Sequence, residues 1–182
     1  MTMKRDNGFT LIELLVTMVV VVILLAVGVP GFQQFVKNNR VSGQAAKLII
    51  ALQVTRSEAV KRGSGTVICA STDQLTCSGD TNWATGWITF SDHDQDGVLD
   101  GDGACTTDAE HLSKECIMRT NTGLSNVTLT GGNNRVSFLP GGLASNGPVV
   151  FGLKANDCEG QQQRSITVTR QGHTFSTKQD CS

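Results

Sequence analysis

An almost uninterrupted apolar run near the amino terminus constrains this chain more than any other feature. Leu11 to Val29 contains nineteen residues, and all of them are apolar or small except Glu13 and Thr17. A helix of that length is about 28 Å long, which is enough to cross the hydrocarbon core of a bilayer. Because a carboxylate at the bilayer centre costs about 2.5–3.5 kcal/mol, Glu13 needs a partner or a role of its own.

Two simple interpretations each explain part of this stretch. Lys4 and Arg5 before an apolar run are typical of a secretory signal peptide, but the sequence Gly28-Val29-Pro30-Gly31 is a poor match to a small-residue cleavage site. A plain amino-terminal membrane anchor would account for the apolar run, and it would leave Glu13 unexplained.

The residues around the start of the run carry more specific information. A basic leader followed by Gly-Phe-Thr-Leu-Ile-Glu-Leu-Leu at positions 8–15 resembles the prepilin peptidase signal of type IV pilins and pseudopilins. The resemblance implies cleavage between Gly8 and Phe9 by prepilin peptidase, and N-methylation of Phe9. It also implies that Glu13, the fifth mature residue, meets the free amino group of a neighbouring subunit, since a carboxylate in an apolar core is tolerated when it is paired. The alternative is that Glu13 lies at the level of the lipid headgroups.

A second, amphipathic segment continues the helix. Pro30 lies between two glycines, so a kink or a locally melted turn is expected there. One apolar stripe then follows at spacings of three and four residues: Val41, Ala45, Leu48, Leu52, Thr55 and Ala59. This spacing predicts a helix that packs on a sheet and ends at Lys61-Arg62-Gly63, so that one long helix runs from Thr10 to Arg62.

The rest of the chain is rich in turn residues and short β-like runs. The predicted strands are Thr66–Ala70, Trp87–Phe90, Glu115–Arg119, Val127–Thr130, Arg135–Leu139, Val149–Leu153, Ser165–Thr169 and His173–Thr177. The last two flank Arg170-Gln171-Gly172, which is a hairpin signal. An antiparallel meander or sandwich is therefore expected, and the fold class is α+β.

Six cysteines all follow the apolar run: Cys69, Cys77, Cys105, Cys116, Cys158 and Cys181. An even number outside the membrane segment predicts three disulfides formed in an oxidising periplasm. Fifteen pairings are open to six cysteines, and nearest neighbours are favoured: Cys69 with Cys77, Cys105 with Cys116, and Cys158 with Cys181. Zinc is disfavoured because no two of the six have the C-x₂₋₄-C spacing of zinc sites.

Within the pilin class, three further stretches indicate a particular group of proteins. Three parts of the chain are similar to the GspH/FimT/FimU group of minor pilins and pseudopilins: residues 83–92, the aspartate-rich loop at 92–103, and residues 164–172. This implies a type IV pilin fold, with a long amino-terminal helix, kinked near Pro30, packed on an antiparallel sheet or sandwich. It further implies a single-pass inner-membrane protein with a periplasmic head, which then joins other minor and major pilins at or near the tip of a type IV pilus or a type II secretion pseudopilus.

The expected organisation has four parts. They are a leader peptide at 1–8, a transmembrane or filament-core helix at 9–30, an amphipathic helix at 31–63, and a disulfide-containing β-rich head at 64–182. The favoured function is that of a minor pilin that supports pilus assembly, twitching motility or DNA uptake. The alternatives are a minor pseudopilin of a type II secretion system and a DNA receptor for natural transformation.

The aspartate-rich loop reproduces most of an EF-hand-like calcium loop. Oxygen ligands are expected from Asp92, Asp94, Asp96, the Val98 carbonyl, Asp100 and, by a different loop path, Asp102. The twelfth position, which should be a bidentate glutamate, is Gly103. A polar turn without metal is therefore the alternative, and apart from calcium no cofactor is expected.

Basic residues of the last two strands are the candidates for DNA contact. Some members of the resembled group bind DNA through a Gly-Arg-x-Arg motif, and this chain has Gly172-His173-Thr174-Phe175 in that place. Arg164, Arg170, His173 and Lys178 remain as a weak patch, with solvated surface charge as the favoured explanation. The distribution of charge also disfavours DNA binding. Residues 31–62 have six basic residues and one acid, and residues 70–119 have ten acids and two basic residues, so no uniformly basic face is expected.

No enzyme motif is present in the sequence, and catalysis is not expected.

Overall fold

The computed structural model describes residues 10–100, 103, 105 and 115–181. The chain divides into two compact units, one that reaches Lys37 and one that begins at Asn38. The first unit consists, in its described part, of the apolar portion of a single helix. The second unit contains the rest of that helix and all the strands, and it is called the head below.

The long helix α1 extends from Leu11 to Arg62 without interruption. The locally melted turn expected at Pro30 is therefore wrong. Proline removes a single helical hydrogen bond, and the long helical flanks on both sides retain theirs. A bend at Pro30 without loss of helical structure stays a prediction. The end of α1 is as expected, since Gly63 has a φ of 64° and its N–H donates to the Ala59 carbonyl at 3.0 Å.

Among the described residues, eight strands follow α1, and each of them coincides with one of the predicted runs to within three residues at either end. They are β1 Gly65–Ala70, β2 Gly86–Asp92, β3 Ile117–Thr122, β4 Val127–Gly131, β5 Arg135–Phe138, β6 Val149–Ala155, β7 Gln163–Val168 and β8 Thr174–Gln179. All pairings are antiparallel, in two four-stranded sheets ordered β3-β2-β1-β5 and β4-β6-β7-β8. A short 3-10 turn, Trp83–Thr85, precedes β2.

The main core of the head lies under the second half of α1. The whole predicted stripe of that helix is buried: Val41, Ala45, Leu48, Leu52, Thr55 and Ala59. Its apolar members join one cluster with residues from both sheets, including Ile68 of β1 and Phe151 of β6. Burial of each large apolar side chain contributes about 1.5–3 kcal/mol, so this helical face anchors α1 to the head.

A second, smaller core lies on the other face of the first sheet. Val67, Cys69, Ile88, Phe90 and Ile117 form it, and Leu99 and Cys77 pack against it. Strands β1 and β2 are consequently buried on both faces, which explains why their sequences lack a clear apolar–polar alternation. The aspartate-rich loop, through Leu99, is thus part of the cover of this second core.

Three disulfides join the pairs that the sequence favoured: Cys69–Cys77, Cys105–Cys116 and Cys158–Cys181. They span 8, 11 and 23 residues, and each is worth about 2.5–3.5 kcal/mol in the chain-entropy model. The third ties the carboxyl-terminal end of the chain to the connection between β6 and β7, where the Cys181 N–H also donates to the Gly160 carbonyl at 2.9 Å.

The hairpin between β7 and β8 depends on a glycine at its turn. Gly172 has a φ of 77°, and a Cβ added there would collide with the carbonyl oxygen of Gly142. We expect Gly172→Ala to lower the free energy of unfolding by about 2–3 kcal/mol, because left-handed strain and a backbone collision add together. Gly160→Ala is the matched control: its φ is 60° and its added Cβ meets nothing within 4 Å, so only the strain of about 1 kcal/mol applies. Urea denaturation measures both, and equal losses in the two variants would contradict the collision.

Candidate functional site

The first site is the apolar surface of α1. Its large apolar side chains from Leu11 to Val29 are exposed. Among the described residues, α1 is also the one helix that is long and apolar enough to cross a membrane. An apolar surface of this size indicates contact with lipid or with other apolar helices.

Glu13 lies on this surface, in the first turn of α1. Its backbone N–H donates to the Thr10 hydroxyl at 3.3 Å, so Thr10 caps the helix. A carboxylate in the first turn also interacts favourably with the positive end of the helix dipole. Glu13 is itself exposed, so its carboxylate is accessible to a group outside this chain. Gly8 and Phe9, the predicted cleavage and methylation residues, lie outside the described residues, and their role stays a prediction.

The second candidate site, the basic patch of the terminal hairpin, is not assembled as expected. Arg164 is only 6 % exposed. Its guanidinium donates to the carbonyls of Gln161 and Gln163 at 3.0 Å each and to the Ser42 hydroxyl of α1 at 3.1 Å. The expectation of a solvated surface charge is wrong for this residue, and its side chain is not accessible to DNA. Arg164 instead connects β7 to the helix.

Three members of the predicted patch remain exposed: Arg170, His173 and Lys178. The Arg170 Nε also donates to the Gly147 carbonyl at 3.0 Å, which holds its side chain beside the turn. Without Arg164 the patch has two permanent cations, and DNA contact at this hairpin stays an untested prediction that rests on these three residues.

Arg164 is expected to stabilise the head. We expect Arg164→Ala to lower the free energy of unfolding by about 2 kcal/mol, because it removes the charged donor of the hydrogen bonds to two carbonyls and to the Ser42 hydroxyl. Lys178→Ala is the matched control, since Lys178 lies directly opposite Arg164 on β8 but is exposed. It should change stability by no more than about 0.5 kcal/mol in the same urea titration. If both variants lost the same amount, the structural role of Arg164 would be wrong.

The third candidate site is the aspartate-rich loop after β2. Asp92, Asp94 and Asp96 each place a carboxylate oxygen within 4.8 Å of the others. Asp92 is buried, and Asp94 and Asp96 are exposed. Among the described residues, the structure does not add Asp100 to this group, and Asp102 lies outside them. Three of the predicted carboxylates are thus brought together.

The chain turns sharply between these aspartates. Gln95 and Gly97 have φ values of 64° and 77°. The Asp96 N–H donates to Asp94 Oδ1 at 3.2 Å, and the Val98 N–H donates to Asp96 Oδ1 at 2.6 Å. The Arg135 guanidinium donates to the Gly97 carbonyl, at the position where an EF-hand-like loop requires its glycine.

Glu115 belongs to this loop, although the sequence prediction did not include it. One of its carboxylate oxygens accepts from the His93 N–H at 2.9 Å, and the other accepts from the Asp100 N–H at 3.0 Å. The side chain therefore joins the two ends of the loop. The only signal in the sequence is its position next to Cys116, whose disulfide to Cys105 folds this part of the chain back.

Asp92 has an unusual environment for a carboxylate. Burial raises the pKa of its carboxyl group, and the nearby Glu115 and Asp94 raise it further by charge repulsion. The backbone N–H groups of Gly97 and Gln95 act in the opposite direction and lower the pKa. Burial is the largest of these effects, so the pKa stays above its ordinary value.

Comparison with protein families gives two matches on different parts of the chain. The family described as type II transport protein GspH matches residues 44–172. The prokaryotic N-terminal methylation motif matches residues 3–29. Together the two matches extend over the apolar helix and most of the head.

Comparison with solved structures gives the type IV pilin fold. The minor pilin FimU of Pseudomonas aeruginosa PAO1 aligns over 79 % of this chain and 92 % of its own, with 18 % identity and a TM-score of 0.56. A second crystal form of the same protein aligns over 75 % of this chain and 91 % of its own, with 19 % identity and a TM-score of 0.52. The minor pseudopilin EpsH of the Vibrio cholerae type 2 secretion system aligns over 76 % of this chain and 97 % of its own, with 12 % identity and a TM-score of 0.49.

Proposed function

Because the chain belongs to the GspH family of minor pilins and pseudopilins and carries their N-terminal methylation motif, we propose that it is a minor subunit at or near the tip of a type IV pilus. Its role is assembly, since the members of this family are structural subunits. Before assembly, the subunit resides in the inner membrane with its head in the periplasm. It then joins other minor and major pilins through α1.

The exposed apolar surface of α1 is the observation that carries this proposal. The buried residues of the main core all belong to the head, so the head has a core of its own and does not need the first half of α1 for it. That half is therefore available to lipid before assembly and to neighbouring helices afterwards. Both environments are apolar, so transfer from one to the other does not expose the surface to water.

In this proposal, Glu13 sets the axial position of the subunit in the filament. Prepilin peptidase removes residues 1–8, and the new amino group lies at Phe9, four residues before Glu13. A carboxylate in the apolar filament core is stabilised when it pairs with the free amino group of a neighbouring subunit. Because an unpaired carboxylate there is costly, pairing favours one axial position of the subunit over others.

The head presents the surface that other subunits meet. Three disulfides and two cores hold it together in an oxidising compartment. Such a stabilised head is expected of a subunit that is exposed outside the cell on a filament. The resemblance of residues 83–92 and 164–172 fits a minor subunit of either kind of filament, and a type II secretion pseudopilus is the alternative to a pilus within the same family.

Fractionation of cells that express an epitope-tagged chain tests this proposal. The tagged chain should be present in the inner membrane and in sheared surface filaments, and its mass should correspond to loss of residues 1–8 and gain of one methyl group. A strain without prepilin peptidase should keep the full-length chain in the membrane and have none in filaments. A tagged chain that is absent from filaments of a piliated strain would contradict the proposal.

Deletion of the coding sequence separates the two kinds of filament. Loss of twitching motility with normal protein secretion indicates a pilus subunit, and the reverse result indicates a secretion pseudopilin. Complementation with the wild-type chain is the control in both assays.

A further inference from the structure

We propose that the loop after β2 binds a calcium ion through the carboxylates of Asp92, Asp94 and Asp96. One oxygen of each lies within 4.8 Å of the others, so three negative charges converge on a small volume. Like charges at this distance repel one another, and a divalent cation between them converts the repulsion into attraction.

A second, independent observation comes from the burial of Asp92. This residue is only 2 % exposed, and its Oδ1 accepts no hydrogen bond from the described residues. A buried carboxylate oxygen without a donor is costly, and buried polar atoms in folded proteins are nearly always satisfied. A metal ion held by the three carboxylates would supply the missing partner.

The loop geometry leaves the other two carboxylates able to coordinate. Asp94 and Asp96 each use Oδ1 to accept a backbone N–H within the loop. A carboxylate has a second oxygen and several lone pairs, so this use does not prevent binding of a cation. Glu115, at the ends of the loop, adds another negative charge close to Asp92.

Calcium fits these ligands better than other common ions. The three ligands are hard oxygens, whereas zinc prefers nitrogen and sulfur ligands, so zinc is disfavoured at this site. Calcium takes six to eight oxygens in flexible geometry, and loop carbonyls and water complete such a shell. Magnesium demands a more regular octahedron and keeps its own water. Extracellular calcium modules bind with a Kd of about 10⁻⁴–10⁻³ M, and we expect the same range here.

Binding at this place has a structural consequence. Asp92 is the last residue of β2 and pairs with Gly65 of β1, whereas Asp94 and Asp96 belong to the loop. An ion held by all three therefore ties the loop to the first sheet. Leu99 of the same loop covers the second core, so calcium would stabilise the head as well as the loop.

Calcium titration of the full-length protein in detergent micelles, after removal of divalent ions with a chelator, tests the proposal. We expect one binding event by calorimetry and a rise in Tm of about 4–8 °C at about 10 mM calcium chloride. Asp94→Asn should abolish both signals. This variant keeps Oδ1 for the Asp96 N–H, and it removes a charge from an exposed side chain, so it should fold.

Asp80→Asn is the matched control for this titration. Asp80 is also exposed, and its Oδ1 accepts the Asn82 N–H at 3.2 Å, the same kind of turn at the same distance as in Asp94. Asp80→Asn should respond to calcium like the wild type. The proposal is overturned if the wild type shows no shift at about 10 mM calcium, if magnesium at equal concentration gives the same shift, or if Asp94→Asn retains the shift.

Discussion

Glu13→Ala should leave membrane insertion of the chain intact and lower its incorporation into filaments at least tenfold, to about one tenth of the wild-type level or less. Insertion depends on the apolar residues of α1, and loss of a charge from an apolar span makes insertion easier. Assembly depends on the pair that we propose between Glu13 and the amino group of a neighbour. Removal of one partner of a buried ion pair leaves the other charge uncompensated, at a cost of about 3–5 kcal/mol.

Immunoblots of the membrane and of sheared filaments measure the two quantities separately. Glu13→Gln tests whether charge or shape matters, because it keeps the size and loses the charge, and we expect it to resemble Glu13→Ala. Thr17→Ala is the matched control: Thr17 is the other polar residue of the run, and its hydroxyl donates to the Leu14 carbonyl of its own helix. Thr17→Ala should assemble normally. Equal incorporation of wild type and Glu13→Ala would remove the role given to Glu13.

Leu52→Ala is expected to lower the free energy of unfolding of the head by about 2–5 kcal/mol. Leu52 is completely buried in the stripe of α1 that packs in the main core, so truncation loses apolar burial and leaves a cavity. Against a typical stability of about 5–15 kcal/mol, this loss is large enough to reduce the level of the protein in cells. The substitution leaves Glu13 and the filament-core part of α1 unchanged.

Urea denaturation followed by tryptophan fluorescence measures this effect, because both tryptophans, Trp83 and Trp87, belong to the same core. Ile50→Ala is the control. Ile50 lies two residues away on the same helix and is 58 % exposed, so its truncation should change stability by no more than about 0.5 kcal/mol. If Leu52→Ala were as stable as Ile50→Ala, the packing of α1 on the sheets would not be what stabilises the head.

These two predictions separate the two halves of α1. The first half acts outside the chain, on lipid and on neighbouring subunits, and the second half acts inside it, on the core of the head. The sequence shows this division in its patterns: residues 11–29 are apolar on all sides, whereas the later stripe repeats every three or four residues. Both patterns are local, and they predicted the exposed and buried residues of the helix correctly.

Much of the head was also predictable, for the same reason. Each strand corresponds to a short β-like run bounded by turn residues, and each disulfide closes a short loop between neighbouring cysteines. Two predictions were wrong, one in the first half of α1 and one in the head. The turn at Pro30 does not melt, because long helical flanks outweigh one lost hydrogen bond. Arg164 was interpreted as a surface charge, because an arginine in a polar stretch usually is one.

The sequence by itself determined the long helix, the strands of the described residues and, by its motifs, the family, and it favoured the disulfide pairs that the structure contains. These depend on periodicity and on residues close together in the chain. Only the tertiary structure decided that Arg164 binds Ser42, 122 residues away, that Glu115 joins the ends of the aspartate loop, and that Asp92 is buried. Burial and the partners of a charged group are set by the packing of distant segments, which no local pattern records.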